Sequence, residues 1–278
     1  TVVSFATSAP ELIVSLNATL NGFSNWNAYG ISIDTRTLIK GDIFFALAGP
    51  NYDGHQFINE AIKKGACVVV SNAPVLNHQK KVIVVNDVVK ALIALGKSSR
   101  NRNKGKIIAV TGSSGKTTVK EMLALSLSDC GKIHYSQSSY NNKIGVSLSL
   151  ARMPSDTDFS IFEVGMNNYG EISYLSKMIK PDIGLINNAG SAHIKYFKSK
   201  KEIEKEKLEL IHGLNSGGSL VLNEDISINK SIKNFSKKNN IELIKFGQKD
   251  KSNNFLINYR YFPDGSLIEA NFDTISLS

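Results

Sequence analysis

Residues Thr111 to Thr118 read TGSSGKTT, with Lys116 and two hydroxyl side chains directly behind a pair of glycines. This is the equipment for holding a phosphate chain. Glycines let backbone N–H groups turn inward around phosphate oxygens, an ammonium follows the β and γ phosphates, and a hydroxyl can reach Mg²⁺. The stretch follows the apolar run Ile107 to Val110 and opens a helical pattern over Thr117 to Asp129. A helix N-terminus at that point adds about half a positive charge. Gly112, Ser113, Ser114, Gly115, Lys116, Thr117 and Thr118 are therefore candidates for a nucleotide cradle, Lys116 as its catalytic cation and Thr117 as a metal ligand. One departure narrows the type: the general G-x-x-x-x-G-K-[ST] spacing puts glycine at 110, where this chain has Val110.

Other polar groups fall where open α/β sheets bind ligands, at the carboxyl ends of strands. Glu163 ends the strand-like FSIFEV, where its carboxylate could hold Mg²⁺ directly or through water or simply serve as a helix N-terminal acid near Gly170. His193 follows IGLINN; an imidazole there could ligate a divalent ion or be purely structural. Asn141 and Asn142 precede Lys143 and could serve phosphate or a metal-bound water, or simply cap a loop. Ser32, Asp34, Thr35 and Arg36 surround a short apolar strand and suit either an anionic ligand or ordinary turn chemistry. The charged helix Lys200 to His212 reads as a solvated face laced by i,i+3 and i,i+4 pairs.

The elements that must position these groups form an alternating series. Over Lys106 to Leu222 the expected order is strand 107–111, helix 117–129, strand 159–164, helix 171–180, strand 182–187, helix 200–212 and strand 219–222, hence a mostly parallel sheet. Beyond Ile241 the pattern turns to strands, with a hairpin around Pro263 and Asp264. Before residue 100, short apolar runs at 43–47, 67–71 and 82–85 with helical patterns at 56–64 and 88–98 predict a smaller α/β domain. The fold class is thus α/β in two domains, 1–100 and 101–278, as the length of 278 residues also suggests. The 42% hydrophobic and 21% charged composition excludes a disordered chain. No apolar stretch approaches the roughly 18 residues of a membrane span, and Thr1 to Pro10 lacks a basic leader, so a cytoplasmic protein is expected. A net charge of +9 suits a polyanionic partner. The basic stretch Lys97 to Lys106 has no interleaved aromatics to stack bases and reads as a solvated linker, which argues against nucleic acid. Cys67 and Cys130, each beside apolar residues, read as two buried, reduced thiols.

Five stretches in order, DTRTLIKGDIFFALAGPNYDGHQF (34–57), TGSSGKTTVKEM (111–122), NNKIGVSLSL (141–150), EVGMNNYGEISYL (163–175) and INNAGSAHIKYF (186–197), resemble the Mur ligase family. The resemblance implies an N-terminal domain for a uridine nucleotide substrate and a central P-loop ATPase domain. The chain is expected to be a fragment, without the family's C-terminal Rossmann-like domain and with its central domain cut short. The implied activity is that of an ADP-forming ligase of peptidoglycan precursor synthesis, joining D-Ala-D-Ala to UDP-MurNAc-tripeptide through an acyl phosphate. Its cofactors are ATP and two Mg²⁺, one on Thr117 and Glu163 and one on His193, with Asn141 and Asn142 beside the nucleotide. The family's metal-bridging carbamylated lysine aligns with Lys207, or with Lys205 in an alternative register, and its uridine recognition segment matches Ser32, Asp34, Thr35 and Arg36. Lys116, Lys207 and His193 are the catalytic set so implied. A monomer that inserts into no membrane is expected. Two alternatives stay open: a truncated nucleotide-binding module without turnover, and another Mur-type amino-acid ligase.

Overall fold

Strand-forming β-branched and aromatic runs that are apolar along their whole length need cover on both faces, which parallel sheets with crossover helices provide. The computed structural model follows that rule. It describes residues 30–49, 52–75, 78, 81–136, 138–190, 197, 199–248, 254–262 and 265–271. Two compact units result, one of residues 1–103 with 143–155, the other of 104–142 with 156–278.

In the first unit, β1 (Ile31–Ser32), β2 (Ile43–Phe45), β3 (Val68–Ser71) and β4 (Val82–Val84) form an all-parallel sheet in sequential order. Helix α1 (Ile58–Lys63) packs Ile58 and Ala61 on Phe44, Ala46 and Val69. Helix α2 (Val88–Arg102) starts where the Asp87 carboxylate accepts from Lys90 N–H at 2.9 Å. It runs past the expected end at residue 98, so most of the supposed basic linker is helical. Arg100 and Arg102 sit in its last turn, where cations favour the helix dipole, and Arg102 donates to the Met153 carbonyl at 3.1 Å. The segment behind that contact is helix α4 (Lys143–Ala151), whose Val-Ser-Leu-Ser-Leu has the period of a strand yet is buried on every side. Close approach to α2 explains the burial: a Cβ on Gly96 would lie 2.8 Å from the Ser147 carbonyl oxygen.

The second unit is an eight-stranded sheet in the order β12-β11-β10-β9-β8-β5-β7-β6. Its strands are β5 (Lys106–Thr111), β6 (Ile133–Tyr135), β7 (Phe159–Glu163), β8 (Ile183–Ile186), β9 (Ser219–Asn223), β10 (Glu242–Gly247), β11 (Asn254–Phe262) and β12 (Gly265–Asn271). All neighbours pair parallel except β11 with β12, the expected hairpin; its turn at Pro263 and Asp264 lies outside the described residues. Helix α3 (Lys116–Leu127) covers one face of β5, packing Ala124 against Ile108, Val110 and Ile161. Helices α5 (Glu171–Ile179), α6 (Lys200–Leu208) and α7 (Lys230–Lys238) follow in chain order. The helix expected over 200–212 tightens into a 3-10 turn at Glu209–Gly213. It is no solvated face, because Ile203, Glu206, Lys207 and Leu208 are buried. Cys67 is half-buried and Cys130 exposed, both as free thiols, which corrects the expectation of two buried ones. Among the described residues no helix is long and apolar enough to cross a membrane.

The α2 to α4 contact leaves no room for a side chain at position 96. Gly96→Val is expected to cost about 1–3 kcal/mol by overpacking, read as a lower urea midpoint; an unchanged midpoint would refute this packing.

Candidate functional site

Strand β5 is where the sheet changes direction: β7 lies on one side of it and β8 on the other. Ligands gather in the crevice beyond the carboxyl ends of strands at such a switch point. Three chain segments therefore emerge together, the loop Gly112–Gly115 after β5, the stretch after Glu163 on β7, and Asn187 and Asn188 after β8.

The loop turns into α3 through Gly115, which caps the helix at φ +74°, a left-handed conformation that glycine adopts without strain. A Cβ there would also lie 2.8 Å from the Asn187 amide nitrogen. Val110, at the position of the missing motif glycine, is wholly buried inside β5. Two residues the sequence reading had given no role hold the loop open. The Asn188 side-chain oxygen accepts from Ser113 and Ser114 N–H at 2.9 and 3.0 Å, and its amide donates to the Ser114 carbonyl at 3.1 Å. Asn187 donates to the same carbonyl at 3.1 Å. The first N–H groups of α3 have no carbonyl one turn back to bond, so they point into the crevice. Lys116 folds its ammonium onto the Gly112 carbonyl at 2.9 Å, and burial pushes its pKa down while the Glu163 carboxylate pulls it up by less. A cavity of about 230 Å³ opens beside the loop, lined by Ser114, Asn188, Gly190, Lys200, Asn223 and Asp225.

Glu163 is the sharpest feature. It pairs in register with Val110 at the end of β7, its side chain is fully buried, and among the described residues neither carboxylate oxygen has a hydrogen-bond donor. Its nearest cation is Lys120, also fully buried, at 3.4 Å from Oε1. That lysine lay inside the TGSSGKTTVKEM motif without an assigned role; the signal that marks it is its place three residues after Thr117, on the same helix face. The Thr117 hydroxyl is 3.2 Å from that of Ser139. Asn141 accepts from Gly165 N–H through its carbonyl at 2.8 Å, beside the end of β7. Asn142 follows it at the surface.

Among the described residues there is no group of three or more His, Cys, Asp or Glu placed to hold a metal. Mg²⁺ needs no such cage, since it binds through one or two carboxylates with water and substrate phosphates. A buried carboxylate with both oxygens lacking donors fits such an ion. His193 lies outside the described residues. Lys207 is 2% exposed, and burial, with the Lys116 ammonium adding to it, lowers its pKa to about 7. Lys205, by contrast, is exposed.

In the other unit, Asp34 takes Arg36 in a two-pronged pair, Nε at 3.0 Å and Nη2 at 2.6 Å, and this guanidinium holds the carboxyl below its usual range. Arg36 stays 85% exposed. Ser32 and Thr35 are buried, the Ser32 hydroxyl donating to the Asp34 carbonyl at 2.9 Å and the Thr35 carbonyl accepting from Lys64.

Known proteins share this architecture. The family model described as "Mur ligase middle domain" matches residues 110–277, and that described as "Mur ligase family, catalytic domain" matches 27–113. The UDP-N-acetylmuramoyl-tripeptide--D-alanyl-D-alanine ligase of Rickettsia prowazekii is 36% identical over 255 residues, 91% of this chain and 56% of the relative. That of Synechocystis is 41% identical over 197 residues, 70% of this chain and 43% of the relative. The chain thus spans about half the length of the curated relatives it matches. A crystal structure of MurF from Acinetobacter baumannii superimposes with TM-score 0.79 at 27% identity, covering 98% of this chain and 59% of that one. MurF ligase from Thermotoga maritima in complex with ADP gives TM-score 0.74 at 25% identity over 88% of this chain and 56% of that one.

Lys207 makes folding pH-dependent. Its amine titrates near pH 7 in the folded chain and near 10.4 in the unfolded one. Between these values the unfolded state binds more protons, so this contribution to stability rises with pH across the window and is lost as pH falls through 7. The gain in urea midpoint from pH 7 to pH 9 is expected to be larger for the wild type than for Lys207→Met; equal gains would contradict the burial of a titrating amine.

Proposed function

The chain belongs to the Mur ligase family, and from that membership and the site geometry we propose that it serves an ATP-dependent, ADP-forming ligase reaction joining D-Ala-D-Ala to UDP-MurNAc-tripeptide. The observation that carries the reading is Glu163, a buried carboxylate without donors among the described residues, at the rim of a phosphate loop. Such an arrangement is costly unless a cation with phosphate completes it.

The chemistry sets the requirements. A peptide carboxylate attacks the γ phosphorus of ATP, forming a C–O–P link as the bond to ADP breaks. The amine of D-Ala-D-Ala then attacks the acyl carbon, loses a proton, and expels inorganic phosphate. In the first step two anions must meet, so positive charge has to be in place beforehand. Lys116 swings from the Gly112 carbonyl to the β and γ phosphates, while the N–H groups at the start of α3 orient them. The Asn187 and Asn188 amides keep the loop in the shape that offers those groups. Thr117 and Glu163 would hold one Mg²⁺ and His193 a second; such ions neutralise charge on the transferring phosphoryl group. Asn141 and Asn142 stand beside the phosphates, and the cavity next to Ser114 takes the rest of the nucleotide.

Lys207 is proposed as the carbamate position. An amine with pKa about 7 is largely neutral at slightly alkaline pH, which is the form that adds CO₂. The resulting anion would turn the repulsion from Lys116 into attraction. In the first unit, the Asp34 and Arg36 pair presents an exposed guanidinium suited to a diphosphate, consistent with residues 1–100 receiving the uridine nucleotide through Ser32, Asp34, Thr35 and Arg36. Residues 101–278 would bind ATP.

Lys116→Ala is expected to lower phosphate release from ATP, UDP-MurNAc-tripeptide and D-Ala-D-Ala by about 10²–10³-fold, the usual weight of one preorganised charge partner. Equal turnover in the variant would overturn the assignment; nucleotide binding without turnover in the intact wild-type protein would favour the binding-module alternative. A ¹³C-carbamate signal after bicarbonate labelling is expected in the wild type and absent from Lys207→Ala, and a signal that persists in the variant would move the carbamate elsewhere.

A further inference from the structure

The Lys120 ammonium is held from three parts of the unit at once. It donates to the Ser136 carbonyl just after β6, lies 3.0 Å from Glu121 Oε1 on its own helix, and 3.4 Å from Glu163 Oε1 on β7. An ammonium has three protons and no further capacity. Tyr135 closes the remaining side, its ring centroid 5.6 Å from Nζ. The Lys120 side chain is wholly enclosed, with no exposure to solvent.

The partner is less well served. Glu163 Oε1 has the ammonium beside it only as an ion pair, and Oε2 has no donor among the described residues; the nearby Ser136 hydroxyl is likewise buried without a partner. A buried carboxylate so sparsely bonded could rotate or draw back unless something pins it. We propose that Lys120 is a positioning residue for the metal site: by fixing Oε1 from behind, it aims Oε2 at the cation that Thr117 and the phosphates share. This inference rests on the proposed role of Glu163 as a Mg²⁺ ligand. Its sign follows from where the charges stand. On the proposed reading the carboxylate would separate the ammonium from the cation, so loss of orientation outweighs relief of repulsion, and groups that orient metal-holding carboxylates are worth about 10–100-fold in metal affinity. Helix geometry supplies the placement, because three residues after Thr117 is the position that shares its face.

The test uses Mn²⁺ as the probe, its binding to the intact, ADP-saturated protein followed by loss of the free-ion EPR signal. Lys120→Met is expected to weaken Mn²⁺ binding about 10–100-fold while metal-free ADP binding stays within about threefold, since Lys116 and the loop are untouched. Mn²⁺ binding as tight as in the wild type, or tighter, would overturn the proposal. Glu163→Gln separates the two claims. If it abolishes Mn²⁺ binding while Lys120→Met does not, only the positioning role fails; if it changes nothing, the assignment of Glu163 fails and the inference with it. Should Lys120→Met not fold, the wild type decides: in lysine-¹⁵N-labelled protein the Lys120 ammonium resonance, assigned by its absence from Lys120→Arg, is expected to shift when Mg²⁺ is added to the ADP complex. A resonance that does not move would overturn the proposal.

Discussion

A carboxylate buried without hydrogen-bond donors among the described residues is the constraint on which the larger unit turns. Desolvation makes such a group expensive, and a buried pair with an ammonium rarely repays the full cost. Glu163 is nonetheless placed at the end of the strand beside β5, with Lys120 next to it and Lys116 near enough to feel its charge. Lys116 and Lys207 are in turn close enough to depress the pKa of the latter. This gathering of lysines near one buried carboxylate makes little sense as a means of stability. On the proposed reading it makes sense as a surface for a polyanion and its metal, whose charges would complete the balance.

Topology decides that these groups meet. Because β7 and β8 flank β5, the loop after β5, the carboxylate ending β7 and the two asparagines after β8 share one crevice. The loop's shape is not its own achievement: Asn188 engages the N–H groups of Ser113 and Ser114, and Asn187 braces the Ser114 carbonyl. The generic first glycine is replaced by Val110, whose side chain serves the core instead. A shorter cradle supported from the neighbouring strand is the consequence.

Much of this was legible in the residues. The strand, loop and helix around Lys116, the carboxylate at the end of FSIFEV and the parallel series are local patterns of apolar period, glycine and charge, and each such pattern survives folding nearly unchanged. Harder cases have physical causes. VSLSL alternates like a strand but forms a helix, because burial on all sides removes any penalty for its pattern. Lys200 to His212 looks like a solvated helix because its charges are spaced for mutual pairing, yet Glu206 and Lys207 face inward. Lys97 to Lys106 looks like a linker because its charges hide a helix whose cations suit its own C-terminal dipole. Helix α7 carries too thin an apolar stripe to stand out among its lysines.

By itself the sequence determined a glycine-rich loop with a lysine between a strand and a helix, a carboxylate at the end of a neighbouring strand, a fold of alternating strands and helices, and membership of a ligase family through five ordered motifs. Only the tertiary structure decided which charges are stripped of water. Burial depends on neighbours far away in the chain, as when Lys120 on α3 meets Glu163 from β7 and the backbone after β6. The same is true of Lys207, whose amine is brought to about 7 by the packing around it and not by the residues beside it in the chain. A lysine in sequence is a solvated cation by default, and only the fold can strip it of water, as it does Lys120 and Lys207.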